Sequence, residues 1–400
     1  MSRAPAQPSA ISFQQTFALA ASFSIGQFGA NLAPFVVPAL EQHVGTNVQF
    51  AGALMSLEFA ALFLMALVFL IRGGKWSLPL VGSLGAIAYI AGSLITAFGV
   101  DLGVIAAGRV LCGLGSGAAI SVANAAAASH DNFRGAFVRA IAGASLITFC
   151  LYNIIPGIAE VSGPAAVFFG LAAAGGVLLV PVVALRRGNR QSESPSSHAS
   201  MQDFSRVVVS GVFLLLVAGL FARLNDGITW SLNARFAEHA GIDQKELGLF
   251  LGVLTLACAA APVIADSLGR RWGYIAIFTA VMAVKTVATY ILFVSRDFGT
   301  FAFAQSVLFF TFVMVMQLFS GAIAARDASG RFAVVGAMTL MLADVFGPLI
   351  AGSAFQLWGL LGVTIAACLV SFAAMICLAG VTVFDRASST TREGAHARRA

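Results

Sequence analysis

The sequence predicts an all-α polytopic membrane protein with twelve transmembrane helices in two parallel six-helix halves. The first observation is composition: 59% of the 400 residues are hydrophobic, 10% are charged, and the mean hydropathy is +0.92, whereas soluble domains are about a quarter charged. The second is a series of apolar runs of about 20 residues or more along almost the whole chain. The third is an internal repeat with a period of 196 residues. A soluble globular protein is therefore excluded.

Each apolar run is long enough to cross a bilayer, because a helix rises about 1.5 Å per residue and the hydrocarbon core is about 30 Å thick. In the first half the predicted spans are residues 17–40, 49–71, 77–98, 103–127, 137–159 and 164–185. In the second half they are residues 207–232, 246–267, 273–294, 299–325, 332–355 and 358–384.

One long polar stretch separates spans 6 and 7. It contains RRGNRQSESPSSHAS, a composition that cannot bury apolar surface, so we expect a linker there. The predicted organisation is a cytoplasmic tail (1–16), an N-terminal half (17–185), a cytoplasmic linker (186–206), a C-terminal half (207–384) and a second cytoplasmic tail (385–400).

The positive charges orient the spans. When both termini are placed in the cytoplasm, 17 of the 23 Lys and Arg residues fall in cytoplasmic segments or span ends. Three fall outside, at Arg235, Lys245 and Arg296, and three fall within spans. Because positive residues concentrate on the cytoplasmic side of membrane proteins, we expect a multi-pass protein of the cell (inner) membrane with both termini inside. The first apolar run is expected to remain as a span, without cleavage of a signal peptide.

An offset of 196 residues, without a gap, aligns identical residues in the two halves. Since each half has an even number of spans, the halves have the same orientation. Parallel halves with a binding site near the bilayer midplane are one plan of secondary transporters. The matched pairs are His43 with His239, Gly45 with Gly241, Gly52 with Gly248, Gly73 with Gly269, Trp76 with Trp272, Asp101 with Asp297, Gly103 with Gly299 and Asp131 with Asp327.

Two motifs indicate a family. After span 8 the chain reads Pro262-Val-Ile-Ala-Asp266-Ser-Leu-Gly269-Arg270-Arg271, and span 4 carries Arg109-Val-Leu-Cys-Gly113-Leu-Gly115-Ser-Gly117. With twelve spans and a basic linker, they resemble the G-x-L-A-D-R-x-G-R-R loop signature and the R-x-x-x-G-x-G-x-G element of the major facilitator superfamily, and the resemblance covers essentially the whole chain. It implies that superfamily's fold and transport by alternating access, in which two halves rock around a central site.

The resemblance also implies a gating role for the loop motif and for its counterpart in the first half. There the aspartate is lost, because Leu70 stands at its position. The gating residues expected on this basis are Arg72, Gly73, Lys75, Asp266, Gly269, Arg270 and Arg271.

Two arginines within the spans are candidate substrate-binding residues. A charge near the bilayer centre costs at least about 2.5 to 3.5 kcal/mol on insertion scales, so each needs a partner, a water-filled path or a function. The forked guanidinium of Arg109 or Arg223 suits a carboxylate or phosphate of the substrate. The structural alternatives are an ion pair of Arg109 with Glu58 and a self-neutralised pair of Arg223 with Asp226.

Three carboxylates are candidates for proton coupling: Glu58, Asp226 and Asp344. A carboxylate within a span can exchange protons as its solvation and its cationic neighbours change. Asp344 also precedes Gly347-Pro348, where a helix kink is expected. Lys285, on a span that the resemblance makes peripheral, is expected to be structural and to be neutralised by Asp344 or by snorkelling.

Polar and aromatic residues within the spans complete the expected substrate lining. For each of them the alternative is a structural role, as a partner in an interhelical hydrogen bond. These residues are Gln27, Asn31, Tyr152, Asn153, Trp230, Gln305 and Gln317.

These observations favour proton-coupled symport of a small organic solute, most simply an anionic one. The alternatives are efflux of drugs or metabolites, although Ile155-Pro156-Gly157 in span 5 departs from the Gly-Pro motif of drug antiporters, and a non-transporting membrane sensor or assembly factor. No enzyme, catalytic residue, cofactor, metal site or nucleic-acid partner is predicted. The expected partners are the substrate, protons and the lipid bilayer, and the protein is expected to be a monomer.

Overall fold

The computed structural model describes residues 12–186, 211–327 and 331–397, and the regular structure in them is entirely helical. Most of the predicted linker (186–206) and of the first tail (1–16) lies outside the described residues. The side chains of residues 387–397, in the second predicted tail, are also outside the description.

The described residues before the linker form seven helices. They are α1 (Phe13–Asn31), α2 (Ala33–Val44), α3 (Val48–Arg72), α4 (Leu78–Phe98), α5 (Leu102–Ala128), α6 (Phe133–Ser162) and α7 (Ala165–Val183). A short 3-10 turn, Gly73–Lys75, follows α3.

In the described residues after the linker there are also seven helices. They are α8 (Gly211–Ser231), α9 (Asn233–His239), α10 (Gln244–Ala257), α11 (Ala261–Trp272), α12 (Tyr274–Val294), α13 (Phe298–Ala324) and α14 (Arg331–Ala397), with a 3-10 turn at Cys258–Ala260 between α10 and α11.

The helix α14 is interrupted near its middle. Trp358 (φ −140°, ψ 20°) and Gly359 (φ 60°, ψ −149°) have non-helical backbone angles, and the positive φ favours glycine at that point. The stretch from Phe332 to Arg386 has 55 residues, which at about 1.5 Å per residue is more than twice the thickness of a hydrocarbon core. The predicted span 332–355 ends just before this interruption, and the predicted span 358–384 begins at it.

Two further pairs of helices are bent. α1 and α2 meet at 57°, and α10 and α11 meet at 47°. Pro34 and Pro262 each lie in the first turn of the second helix of the pair, where a proline needs no hydrogen-bond donor but prevents the preceding helix from continuing.

Among the described residues, nine helices are long and apolar enough to cross a membrane, and the number rises to eleven when each bent pair counts as one span. The prediction of an all-α polytopic membrane protein is thus confirmed. The number of twelve spans and their division into two six-helix halves stay predictions.

The chain forms two compact units. Unit 1 comprises Met1–Ser194 with Gln244–Leu256, and unit 2 comprises Pro195–Asp243 with Ala257–Ala400. Unit 1 therefore includes most of α10, which the sequence places in the C-terminal half. The predicted domain bounds 17–185 and 207–384 stay predictions.

The 196-residue repeat extends to the bounds of the helices. Helices α4 and α12 are offset by 196 residues at both ends, and so are α5 and α13. Asp101 caps α5 by accepting a 3.0 Å hydrogen bond from Val104 N, and Asp297 caps α13 through Thr300 N at 2.9 Å. The hydrogen bonds from the backbone and side chain of Thr300 hold the pKa of Asp297 below its usual value.

Glycines let α5 pack closely against its neighbours. A Cβ on Gly115 would lie 2.5 Å from the carbonyl oxygen of Gly85 on α4, and one on Gly117 would lie 2.5 Å from that of Leu62 on α3. Such distances are impossible for real atoms, so these positions require glycine. The same packing positions α3 beside α5 in unit 1, where both carry a charged side chain.

Candidate functional site

The guanidinium of Arg223 on α8 pairs with the carboxylate of Asp344 on α14 through two contacts in unit 2. Arg223 Nε lies 2.7 Å from Asp344 Oδ1, and Arg223 Nη2 donates to Oδ2 at 3.1 Å. The side chains are 17% and 24% exposed. A forked pair of this kind fixes both side chains in one orientation, and this one is not fully buried.

The close approach of α8 and α14 makes this pair possible. A Cβ on Gly347 would lie 2.7 Å from Gly227 Cα, and one on Gly227 would lie 3.1 Å from Gly347 Cα. The two helices therefore touch through their backbones one turn beyond the ion pair. Pro348, inside α14, cannot donate a backbone hydrogen bond at this crossing.

A second ion pair lies in the same unit. Lys285 Nζ on α12 is 2.5 Å from Asp226 Oδ1 and also donates to the carbonyl oxygen of Ala222 at 3.2 Å. Lys285 is fully buried and Asp226 is nearly so. The second pair is thus sealed, whereas the Arg223–Asp344 pair is partly open.

These pairings correct two of the alternatives drawn from the sequence. Lys285 is neutralised by Asp226 rather than by Asp344, and Arg223 pairs with Asp344 rather than with Asp226. Arg223 and Asp226 are three residues apart on α8, yet each reaches a different neighbouring helix. The physical reason is that α8 contacts both α12 and α14. Arg223 and Asp226 therefore each have a partner on a neighbouring helix and do not pair with one another.

Three aromatic side chains continue from the Arg223–Asp344 pair. The guanidinium of Arg223 lies over the ring of Phe312, 4.6 Å from its centroid. Phe312 and Phe309 are 6.1 Å apart between centroids, and Phe309 and Trp230 are 5.6 Å apart. We call Phe312, Phe309 and Trp230 the aromatic strip. Trp230 was predicted from the sequence, whereas Phe309 and Phe312 were missed.

Unit 1 contains a third ion pair, between Glu58 on α3 and Arg109 on α5. Their side chains are 1% and 0% exposed. Gly29 and Gly113 make room for it, because a Cβ on Gly29 would overlap the Glu58 carboxylate and one on Gly113 would overlap the Glu58 backbone. Of the two interpretations of Arg109, the structure therefore shows the ion pair with Glu58.

Three of the predicted lining residues meet elsewhere in unit 1. Asn31 Nδ2 donates to Gln27 Oε1 at 3.4 Å and to Thr148 Oγ1 at 3.3 Å. The hydroxyl of Tyr152 donates to the carbonyl oxygen of Asn31 at 2.8 Å. Asn153 donates within its own helix, to Phe149 O at 2.7 Å.

The offset of 196 residues relates this polar group to the charged one in unit 2. Gln27 corresponds to Arg223, and Thr148 corresponds to Asp344. Where unit 1 has neutral side chains joined through Asn31, unit 2 has a direct ion pair. At these equivalent positions, the charged pair is thus specific to unit 2.

The other two predicted lining residues lie on α13. Gln305 is buried, and its Oε1 accepts a hydrogen bond of 2.6 Å from Asn233 Nδ2 at the start of α9. Gln317 is partly buried. Gln305 therefore forms an interhelical hydrogen bond, which is the structural alternative to a lining role.

The predicted gating residues of unit 2 form one cluster. Arg270 Nε donates to Asp266 Oδ2 at 2.8 Å, and the hydroxyl of Tyr274 donates to Asp266 Oδ1 at 2.9 Å. The ring of Tyr274 occupies space that a Cβ on Gly269 would need. Arg271 turns away, with its guanidinium 5.6 Å from the Trp272 ring centroid. The sequence did not single out Tyr274.

The counterpart in unit 1 has a simpler arrangement. Gly73 is buried against the ring of Phe69, whereas Arg72 and Lys75 are exposed. Leu70, at the position of the lost aspartate, is exposed too. Within residues 12–186, 211–327 and 331–397, no group of three or more His, Cys, Asp or Glu side chains is placed to hold a metal ion.

The fold is shared with solved solute transporters. A bacterial homologue of the human lysosomal transporter Spinster, in an inward-facing and unoccupied conformation, has 12% identity and a TM-score of 0.66, with 94% of this chain and 96% of that one covered. The nucleoside transporter NupG has 12% identity and a TM-score of 0.70, with 93% and 100% covered. A POT family transporter in complex with 5-aminolevulinic acid has 11% identity and a TM-score of 0.69, with 93% and 95% covered.

No family model matches the sequence, and no curated protein matches it. At identities of 11% to 12% the similarity shows the fold. The chain thus shares the fold of these solved transporters.

Proposed function

We propose that this protein is a secondary active transporter of a small organic anion, coupled to protons and working by alternating access. The observation that carries the proposal is the ion pair of Arg223 and Asp344, two charges on predicted membrane spans that remain partly exposed. Exposure of charge to lipid is costly, so the exposed side of such a pair faces a water-filled path. A solute and a proton both need such a path.

Arg223 is the anion-binding group in this proposal. Its guanidinium stays protonated and presents two forked edges. Asp344 engages the edge formed by Nε and Nη2, which leaves Nη1 without a hydrogen-bond partner among the described residues. A substrate carboxylate at that second edge competes with Asp344 for the same positive charge.

Asp344 is the proton-exchanging group. When substrate withdraws Arg223, the Asp344 carboxylate loses its cationic partner and takes up a proton more readily. Protonated Asp344 in turn no longer competes for Arg223, so the proton and the substrate each favour binding of the other. Symport requires this coupling, in which the affinity for substrate differs between the protonated and the unprotonated protein.

The other two candidate carboxylates are less suited to this role. Asp226 is held by the buried Lys285, and Glu58 is held by Arg109 in a fully buried pair. The side chains of Glu58 and Arg109 are 1% and 0% exposed in this conformation. We therefore assign Arg109 and Glu58 to the stability of unit 1.

Twelve spans and cytoplasmic termini belong to the same proposal. Eleven spans among the described residues become twelve if α14 crosses the membrane twice, once on each side of Gly359. In a cysteine-free background, a single cysteine at Ser196 or Ser389 is expected to react only with a cytoplasmic reagent, and one at Thr46 only with an external reagent. Labelling of Thr46 and Ser196 from the same side would contradict this topology.

The experiment that tests the function is transport by the purified protein in liposomes. We expect at least one of lactate, 3-phenyllactate, succinate and 4-hydroxybenzoate to exchange in counterflow and to accumulate when the exterior is acidified. The transporters of similar fold include one crystallised with 5-aminolevulinic acid, which supports including small carboxylic acids. If the folded protein moves none of these anions, the proposal is wrong.

A further inference from the structure

We infer that the site at Arg223 selects carboxylates that carry an aromatic ring, and that the aromatic strip binds this ring. The inference rests on the proposed function, because it names the class of anion that the same site takes. It is carried by the arrangement of Arg223, Phe312, Phe309 and Trp230, which places a cation at one end of a continuous row of rings.

The row follows from the helical repeat. Arg223 and Trp230 are seven residues apart on α8, which is two turns, so both side chains lie on one face of the helix. Phe309 and Phe312 are three residues apart on α13 and also share a face. The two faces meet, since Arg223 lies over Phe312 and Trp230 lies beside Phe309.

The row has the length of an aromatic acid. Seven residues of helix correspond to about 10 Å between the levels of Arg223 and Trp230. A carboxylate at Arg223 would therefore place a ring two to four bonds away beside Phe312 or Phe309. A short acid such as lactate has no group that reaches these rings.

The four side chains are also accessible to a ligand. Arg223, Trp230, Phe309 and Phe312 are all only partly buried, unlike the sealed pair of Lys285 and Asp226. The centroid distances of 5.6 Å and 6.1 Å, with tilted ring planes, fall in the range at which aromatic rings attract one another. A substrate ring that joins the row gains contacts of the same kind.

The carboxylate and the ring thus have separate binding groups. Arg223 recognises the charge, and every carboxylate shares that contact. Phe312 and Phe309 recognise the ring, which only an aromatic acid has. The two contributions can be separated with acids that share a headgroup.

Lactate and 3-phenyllactate form such a pair, because they differ only in the phenyl group. We expect 3-phenyllactate to have a KM about ten-fold or more below that of lactate. Phe312→Leu and Phe309→Leu should each raise the KM for 3-phenyllactate by about ten-fold and change that for lactate by less than about two-fold. Phe303→Leu, a matched change at an exposed position on the same helix, should alter neither KM.

A conservative variant guards against simple misfolding. Phe312→Tyr keeps the ring and should retain the preference for 3-phenyllactate. Binding of 3-phenyllactate to the detergent-solubilised protein can be measured as quenching of tryptophan fluorescence. If Trp230 lies at the site, Trp230→Leu should reduce the amplitude of this quenching by at least half.

The outcomes are distinct. Equal KM values for the two acids, or equal losses for both in Phe312→Leu, would overturn the aromatic preference while transport of carboxylates still stood. Failure of every carboxylate to exchange would contradict the proposed function itself, and the aromatic preference with it.

Discussion

Arg223 and Asp344 hold each other through two contacts, of 2.7 Å and 3.1 Å, at a point where their helices touch through Gly227 and Gly347. This is the partly exposed ion pair on the predicted spans of unit 2, and it lies beside a pair that is sealed. An exposed pair can exchange partners, and a sealed one keeps them. On this difference in exposure the proposed function gives the first pair a binding role and the second a structural role.

The buried pair of unit 1 provides a test of the structural role. Glu58→Gln leaves the Arg109 guanidinium buried without a counter-ion, and we expect unfolding to become easier by about 3 to 5 kcal/mol. The double variant Glu58→Gln with Arg109→Met removes both charges and should recover most of that loss. Thermal unfolding of the purified protein in detergent measures both effects.

The matched control for this test is Glu160→Gln. Glu160 pairs with Lys245 at 2.7 Å, but both side chains are exposed, so the loss should be less than about 1 kcal/mol. If Glu58→Gln is no more destabilising than Glu160→Gln, Glu58 is not a structural partner, and its candidacy as a proton carrier is restored.

Variants of the adjacent residues Arg270 and Arg271 test the predicted gating cluster around Asp266. Arg270→Gln removes a donor to Asp266, whereas Arg271 contacts Trp272 instead. Arg270→Gln and Tyr274→Phe should therefore slow transport and make a cysteine introduced near the end of α11 more reactive. Arg271→Gln should leave both measurements close to the parent. Equal effects of the two arginine variants would show that positive charge alone matters, and not the contacts of Asp266.

The cap of α13 gives a pH-dependent prediction. Because hydrogen bonds from Thr300 lower the pKa of Asp297 in the folded protein, the cap stabilises the fold above the unfolded pKa of about 3.9 and loses this effect as the pH falls through the folded pKa. Asp297→Ala should lower the thermal midpoint near pH 7, and the deficit should shrink in acid.

Asp297→Asn is the control for the charge. Asparagine also caps a helix well, so this variant should stay near the parent at pH 7 while its stability no longer varies with pH through this site. A deficit of Asp297→Ala that is the same at pH 7 and at acid pH would mean that the carboxylate charge does not contribute.

The helices could be predicted from the sequence because a long apolar run in a membrane protein has few possible structures other than a spanning helix. The sequence did not predict the bend at Leu32, since apolar composition continues across it and span 17–40 looked unbroken. Pro34 carried a signal for this bend, because proline is common in the first turn of a new helix. The break in α14, at Trp358 and Gly359, falls on the first two residues of the last predicted span, 358–384.

The candidate site was harder to predict. Arg223, Asp226, Lys285 and Asp344 could be named because charges are rare within spans, but their pairing depends on which helix faces meet, and spacing along the chain does not determine that. Phe309 and Phe312 were missed because the sequence has 34 phenylalanines, so the residue type carries no information alone. Only contact with Arg223 distinguishes Phe312.

Transport by Asp344→Asn tests the central claim most directly. This variant mimics the protonated carboxylate permanently, so substrate exchange in counterflow should remain measurable while accumulation driven by a pH gradient is abolished. Asp344→Glu should retain part of the accumulation, and Asp385→Asn, beyond the interruption of α14, should behave like the parent. Accumulation by Asp344→Asn that equals that of the parent would contradict proton exchange at Asp344.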